Sequence, residues 1–207
     1  MKRYFLLIIS ILTLGFSLKA QDAETMFKAA VDKLKSYDNI EIAFNYSMIN
    51  TEAGIYETME GSGFLQDKAF KLHIMGQDII CDGRITWTYN ADAEEVMISE
   101  VDSDGGNSPI AIINSYYDNI TAKFLESNNG SDKLIEVKPL SGDENIEKIV
   151  VSIDEKTLEI KDLHVFDYNK NEFVYDITKF VTNQKLPAGF FTFNEDDYPD
   201  VEIIDMR

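Results

Sequence analysis

Gln77-Asp-Ile-Ile-Cys-Asp-Gly-Arg-Ile-Thr-Trp-Thr-Tyr-Asn90 is the stretch whose reading decides the fold. Asp82-Gly83 stands between two β-prone runs, and a type I′ turn, with positive φ at both central residues, favours this dipeptide. A hairpin with Asp82-Gly83 at its tip sets Cys81 against Arg84, Ile80 against Ile85 and Asp78 against Trp87. Side chains alternate along a strand, so Ile85, Trp87 and Tyr89 share an apolar face while Arg84, Thr86 and Thr88 take the other. Trp87 is the only tryptophan in the chain and lies on the apolar side. That face either packs into an ordinary core or lines a cavity, and the hairpin alone leaves both open.

Outward from the hairpin, a period of two dominates. Ile40, Ile42, Phe44, Tyr46 and Met48 alternate with Glu41, Ala43, Asn45, Ser47 and Ile49. Further strand patterns cover 55–65, 70–75, 95–101, 121–126, 133–138, 147–153, 159–167 and 173–182, about eleven strands with the two hairpin arms. Tight turns such as Gln66-Asp67 and Asn169-Lys170-Asn171 join them. Short connections imply an antiparallel meander, and so many strands in one domain curl rather than lie flat. The fold class is mainly β (α+β), a strongly curved sheet or barrel with a helix at its start. That helix follows Asp22, a suitable cap. Its apolar stripe is Ala23, Met26, Phe27, Ala30, Leu34 and Tyr37, and it ends near Asp38-Asn39. A second, short helix is expected over 108–117. Ser108-Pro109 cap and start it, and Ile110, Ile112, Ile113, Tyr116 and Tyr117 make it too apolar to stand free in water.

Ahead of the first helix, Met1-Lys2-Arg3 and the apolar run from Tyr4 to Leu18 lead to Ala20-Gln21. Fifteen residues are short for a ~30 Å hydrocarbon layer. The pattern is that of a secretory signal peptide, residues 1–20, cleaved near Ala20, with one domain over 21–207. Cys81 is the only cysteine, so neither an internal disulfide nor a lipidation cysteine after the apolar run is available. Removing residues 1–20 leaves 16 basic against 37 acidic residues, a formal charge of −21. Such a chain repels phosphate backbones and anionic lipid headgroups, which argues against nucleic acid and leaves at most transient membrane contact.

The catalytic inventory is thin. His73 and His164 stand alone within strand patterns, and Gly61-Ser62-Gly63 lacks the spacing of a nucleophile elbow. The glycines better mark a close backbone approach or a bulge. Asp102, Asp104 and Asn107 resemble a calcium loop, but the later ligands of one are missing, so a solvated turn is expected. No catalytic residue, metal site or cofactor is assigned. An apolar, aromatic interior remains, and side chains or a ligand must fill it.

Ile80-Cys-Asp-Gly-Arg-Ile-Thr-Trp-Thr-Tyr-Asn90, Asn107-Ser-Pro109 opening an apolar helix, Phe191-Thr-Phe193 and the closing Val201-Glu-Ile-Ile-Asp205 occur here in order. On these residues the chain resembles the outer-membrane lipoprotein carrier (LolA) family over essentially its whole mature length. The resemblance implies an incomplete antiparallel barrel of about eleven strands with a helical lid over a hydrophobic cavity. It implies a monomeric periplasmic carrier without bond chemistry. Such a carrier takes acylated lipoproteins from an inner-membrane releasing transporter to an outer-membrane acceptor. The lipid-binding candidates are then Phe44, Tyr46, Phe70, Leu72, Ile85, Trp87 and Tyr89 on the sheet and Ile110, Ile112, Ile113 and Tyr116 on the lid. The family pattern has an arginine after the second strand that holds the lid. The turn here reads Gln66-Asp67-Lys68-Ala69, with Lys68 the nearest base, and a lysine lacks the planar fork. The alternatives are a periplasmic lipid or lipoprotein sensor, a secreted hydrolase, and a structural domain with a fully packed interior.

Overall fold

A computed structural model describes residues 22–101, 116–126, 132–140, 145–198 and 200–207. Helix α1 spans residues 22–35. The strands are β1 (Ile40–Asn50), β2 (Ile55–Gln66), β3 (Ala69–Ile74), β4 (Gln77–Cys81), β5 (Ile85–Asn90) and β6 (Glu95–Glu100). They continue with β7 (Ile120–Leu125), β8 (Asp132–Pro139), β9 (Ile146–Asp154), β10 (Ile160–Asp167), β11 (Glu172–Thr182) and β12 (Glu202–Asp205). All twelve join in one sheet, ordered β12-β6-β5-β4-β3-β2-β1-β11-β10-β9-β8-β7. The sheet is open rather than closed into a barrel, as the expectation of an incomplete barrel requires.

The order follows from chain economy. From β1 the chain steps outward by short turns to β6, reappears at the far edge as β7, and steps inward to β11, which pairs antiparallel with β1. The two meanders thus meet in the middle of the sheet. The stretch joining β6 to β7, with most of the expected second helix and the calcium-like loop, lies outside the described residues. The twelfth strand exceeds the count expected from pattern. β12 is four residues long and pairs parallel with β6, Ile203 opposite Val96. Alternation in so short a segment carries little signal.

The central hairpin forms with a different tip. Cys81 pairs with Thr86 and Ile80 with Trp87, two residues off the expected register. Asp82 N–H donates to the Ile85 carbonyl, so Gly83-Arg84 are the central residues. Gly83 alone has positive φ, +93°, and the Asp82 carboxylate accepts from the N–H groups of Arg84 and Ile85. An aspartate that closes its own turn favours the place before the tip over the tip itself. Positive φ at two successive central residues occurs one hairpin earlier, at Met75 (56°) and Gly76 (70°).

Directly paired residues share a face of the sheet. Tracing Ile42–Gly63–Leu72–Ile79–Thr88 across five strands, and Tyr46–Tyr175–Leu163–Val151–Ile135 across the others, defines one continuous face. It is called inner here because α1 lies on it. Ala23, Phe27, Ala30 and Val31 of α1 are buried there against Ile135, Val137, Ile149, Val151 and Leu163. The helix ends at residue 35, short of the expected Asp38-Asn39. The next residues are tied to the end of β11: Asp38 N–H donates to the Asn183 side chain, and the Asn39 side chain bonds the backbone of Gln184.

Gly61 and Gly63 lie on the inner face because no larger residue fits. A Cβ at Gly61 would stand 2.5 Å from the Phe44 ring. One at Gly63 would stand 2.4 Å from Leu72 Cδ2 and 2.7 Å from the Lys71 carbonyl oxygen. The close backbone approach expected of Gly61-Ser62-Gly63 is thus what the structure shows.

Among the described residues, the outer face carries one buried carboxylate. Glu136 Oε1 is 2.9 Å from Lys123 Nζ and 4.0 Å from Lys138 Nζ, and its Oε2 is 3.3 Å from Lys148 Nζ. Burial pushes this carboxyl up, but hydrogen bonds from Lys123 and Lys148 outweigh it and hold the pKa below the ordinary value. A lowered pKa contributes stability above the unfolded value that is lost as pH falls through the folded one. Glu136→Gln should therefore cost about 1 kcal/mol at neutral pH, modest because the lysines are partly exposed. Urea unfolding of both proteins at pH 7 and again at about pH 3 should show that difference disappear in acid.

Candidate ligand-binding face

The inner face divides at the middle of the sheet. On the β7–β10 half, α1 seals a dense cluster whose members Val31, Ile135, Val137, Ile149 and Val151 are fully buried. On the β1–β4 half, Ile40, Ile42, Phe44, Tyr46 and Leu65 form a second cluster, to which α1 and its following turn contribute only Leu34 and Tyr37. Phe70, Ile74 and Ile79 stay half-buried there. Between the end of α1 and the β2–β3 turn a cleft of about 270 Å³ opens, lined by Leu34, Lys35, Tyr37, Ile40, Leu65 and Asp67 among others.

At the junction of the halves, four rings from β1 and β11 lie together. Phe44 and Tyr175 have centroids 5.9 Å apart, Tyr46 and Tyr175 5.2 Å, and Tyr46 and Phe173 6.4 Å in a stacked pair. Burial raises the Tyr175 phenol to about 12, with the nearby Tyr46 adding to it, and raises Tyr46 in the same way. Both therefore stay neutral hydroxyls at any ordinary pH.

The structure brings together only part of the expected site. Phe44, Tyr46, Phe70 and Leu72 lie on the inner face. Ile85, Trp87 and Tyr89 do not join them. Trp87 pairs with Ile80, Ile80 with Lys71, Lys71 with Phe64 and Phe64 with Glu41, which places all of these on the outer face. There Ile80, Val96 and Ile98 form a third cluster with Ile85, Trp87 and Tyr89, and the C-terminal segment covers it. Phe193 is buried in this cluster and stacks on Tyr198 at 4.9 Å, and Tyr198 meets Tyr89 at 4.7 Å. The greasy side of the hairpin is thus a small core of its own. A single cavity lined by Phe44 and Trp87 together is not what the fold builds.

Of the expected lid residues, Tyr116 is buried in the cluster beneath α1, and Ile110, Ile112 and Ile113 lie outside the described residues. Tyr117 next to it touches α1 as well, with Lys35 Nζ 4.2 Å from its ring centroid. Phe173, Tyr175 and Phe180 of β11, with Met59 of β2, are inner-face residues that the sequence reading passed over. The alternation Phe173, Tyr175, Ile177 is the signal for the first two, and pairing β11 with β1 is the step needed to use it. His73 and His164 sit on the outer face, paired with Asp78 at 2.8 Å and with Glu172 at 2.6 Å.

A family model described as outer membrane lipoprotein carrier protein LolA matches residues 70–194. An outer-membrane lipoprotein carrier protein of Shewanella sediminis is 26% identical over 205 residues, covering 96% of each chain. One of Legionella pneumophila (strain Lens) is 27% identical over 120 residues, covering 57% of this chain and 58% of its own. The crystal structure of an uncharacterized conserved protein from Thermus thermophilus shares the fold. Its TM-score is 0.55 at 9% identity, over 86% of this chain and 96% of that one. Sheet, helix and apolar inner face define the class, half-open β-barrels built around a helix-bearing interior. Within that class, the chain belongs to the LolA outer-membrane lipoprotein carrier family.

Proposed function

We propose that this protein is a periplasmic carrier that takes up the acyl chains of lipoproteins on the inner face of its sheet. It would receive them from an inner-membrane transporter and yield them to an outer-membrane acceptor, with no bond made or broken. The observation that carries this reading is the β1–β4 half of the inner face, apolar yet only partly covered by α1. Burying one CH₂ is worth ~0.8 kcal/mol, so a sixteen-carbon chain has on the order of 12 kcal/mol of aversion to water. A carrier must offer nearly that much apolar surface, and it must hold it open rather than let its own side chains fill it. The names of the curated relatives support the reading. Among the described residues no helix is long and apolar enough to cross a membrane, and no group of acidic, histidine or cysteine side chains could hold a metal ion.

The binding residues in this reading are Phe44, Tyr46, Phe70 and Leu72, joined by Phe173 and Tyr175. Phe70 is half-buried, so a carboxylate can replace it without emptying the core. Phe70→Asp should weaken binding of a purified triacylated lipoprotein at least tenfold, with the circular dichroism spectrum retained. His73→Ala and His164→Ala, on the opposite face, should leave transfer between inner- and outer-membrane vesicles within about threefold of wild type. A secreted hydrolase would instead lose activity in a histidine variant and keep lipoprotein binding in Phe70→Asp.

Residues 1–20 act in this reading as a cleaved export signal. N-terminal sequencing of the protein recovered from a periplasmic fraction should begin at or within a residue or two of Gln21. Recovery of the full-length chain with the membranes would contradict it.

A further inference from the structure

Most of the β1–β4 inner face is hydrocarbon, and two hydroxyls interrupt it where the two halves meet. Tyr46 on β1 stands directly opposite Tyr175 on β11, with ring centroids 5.2 Å apart. Phe44 and Phe173 supply the same ring without the hydroxyl beside them, at 5.9 Å from Tyr175 and 6.4 Å from Tyr46. Packing alone therefore does not call for tyrosine. Tyr46 is only 6% exposed and Tyr175 is half-buried, and among the described residues neither hydroxyl makes a hydrogen bond. Glu57, opposite Met48 on the same face, acts on Tyr46 through its charge without bonding it.

A buried hydroxyl left unpaired is unfavourable, and the penalty is removed when a partner arrives. The phenols stay protonated, so what they offer is a donor hydrogen. A ligand of hydrocarbon alone leaves both unsatisfied. A ligand that carries acceptor oxygens beside its chains satisfies both while the chains lie along Phe44, Leu72 and Phe70.

Resting on the carrier reading and deepening it, we infer that Tyr46 and Tyr175 donate hydrogen bonds to the ester carbonyl oxygens that join acyl chains to a glyceryl head. The pair makes the inner face selective for acyl esters over other hydrocarbon of equal length. It also sets where along the sheet the head of the ligand stops, at the seam between the half that α1 fills and the half that α1 covers only in part.

The test uses the mature protein and two probes that differ only in the carbonyl groups, dipalmitoylglycerol and its diether analogue dihexadecylglycerol. Wild type should bind the ester about fivefold to tenfold more tightly than the ether, the ratio that one ordinary hydrogen bond supplies. In the double variant Tyr46→Phe/Tyr175→Phe the ratio should fall to near one through loss of ester affinity, with ether affinity unchanged or improved. The ligand-free double variant should melt no lower than wild type, because no bond is lost. Equal affinities in wild type, a ratio retained in the double variant, or a lowered melting temperature would each overturn ester recognition and leave the carrier reading standing. Failure of wild type to bind either probe would overturn the carrier reading and this inference with it.

Discussion

Phe27→Ala is expected to lower the unfolding free energy by about 3–5 kcal/mol, the usual range for emptying a fully buried aromatic site. Phe27 is fully buried at the centre of the α1 stripe, among Ile135, Val137, Ile149 and Val151. None of these can follow a retreating side chain, because each is fixed in a paired strand. The effect should reach beyond stability. α1 is what fills one half of the inner face, and the Phe27 ring anchors it there. A loosened helix would uncover that half and add apolar surface beside Phe44 and Tyr46. Urea unfolding should show the loss of stability. Binding of a hydrophobic fluorescent dye to the folded variant should rise severalfold at the same time. Loss of stability without a rise in dye binding would mean that the helix stays seated and the cavity closes around the gap.

Phe193→Ala should cost a similar ~3–5 kcal/mol, and it should be visible at a residue far from it in sequence. Phe193 is 7% exposed on the outer face, within the cluster that holds Trp87. It also stacks on Tyr198, just before β12 begins to pair with β6, with Val201 in the same cluster. Removing the ring should free the C-terminal segment and let water reach Trp87. The emission of this only tryptophan should shift to longer wavelength in the variant before any denaturant is added. The same fluorophore separates the two faces. An acyl ligand on the inner face should leave the Trp87 emission maximum nearly unchanged, since the backbone of β5 lies between them. A large blue shift on ligand binding in wild type would put the ligand on the outer face instead.

Much of this protein is legible in its sequence. Alternation over 40–49 and its counterparts predicts eleven of the twelve strands among the described residues, because one face of each is buried and the period of two follows from the pleat. The stripe Ala23, Phe27, Ala30 predicts α1 for the corresponding reason. Short turns predict the two meanders, and Gly61 and Gly63 announce a close approach that Phe44 and Leu72 then make. The ordered motifs from Ile80 to Asp205 already point to the family.

The sequence could not say which greasy face is the interior. Trp87 and Phe44 are both apolar, both mid-strand and both in β patterns, and local periodicity is identical for a residue that faces a cavity and one that faces a covering segment. Their sides depend on the register of four successive pairings, where a change of one residue in any loop would exchange the faces. The outer cluster depends further on Phe193 and Tyr198, about a hundred residues away, folding back over it. Tyr46 and Tyr175 likewise become neighbours only when β11 closes against β1 across some 130 residues of chain. Each strand's pattern is local and cheap to specify, whereas the choice of partner is a long-range contact whose loop entropy only the finished core can offset.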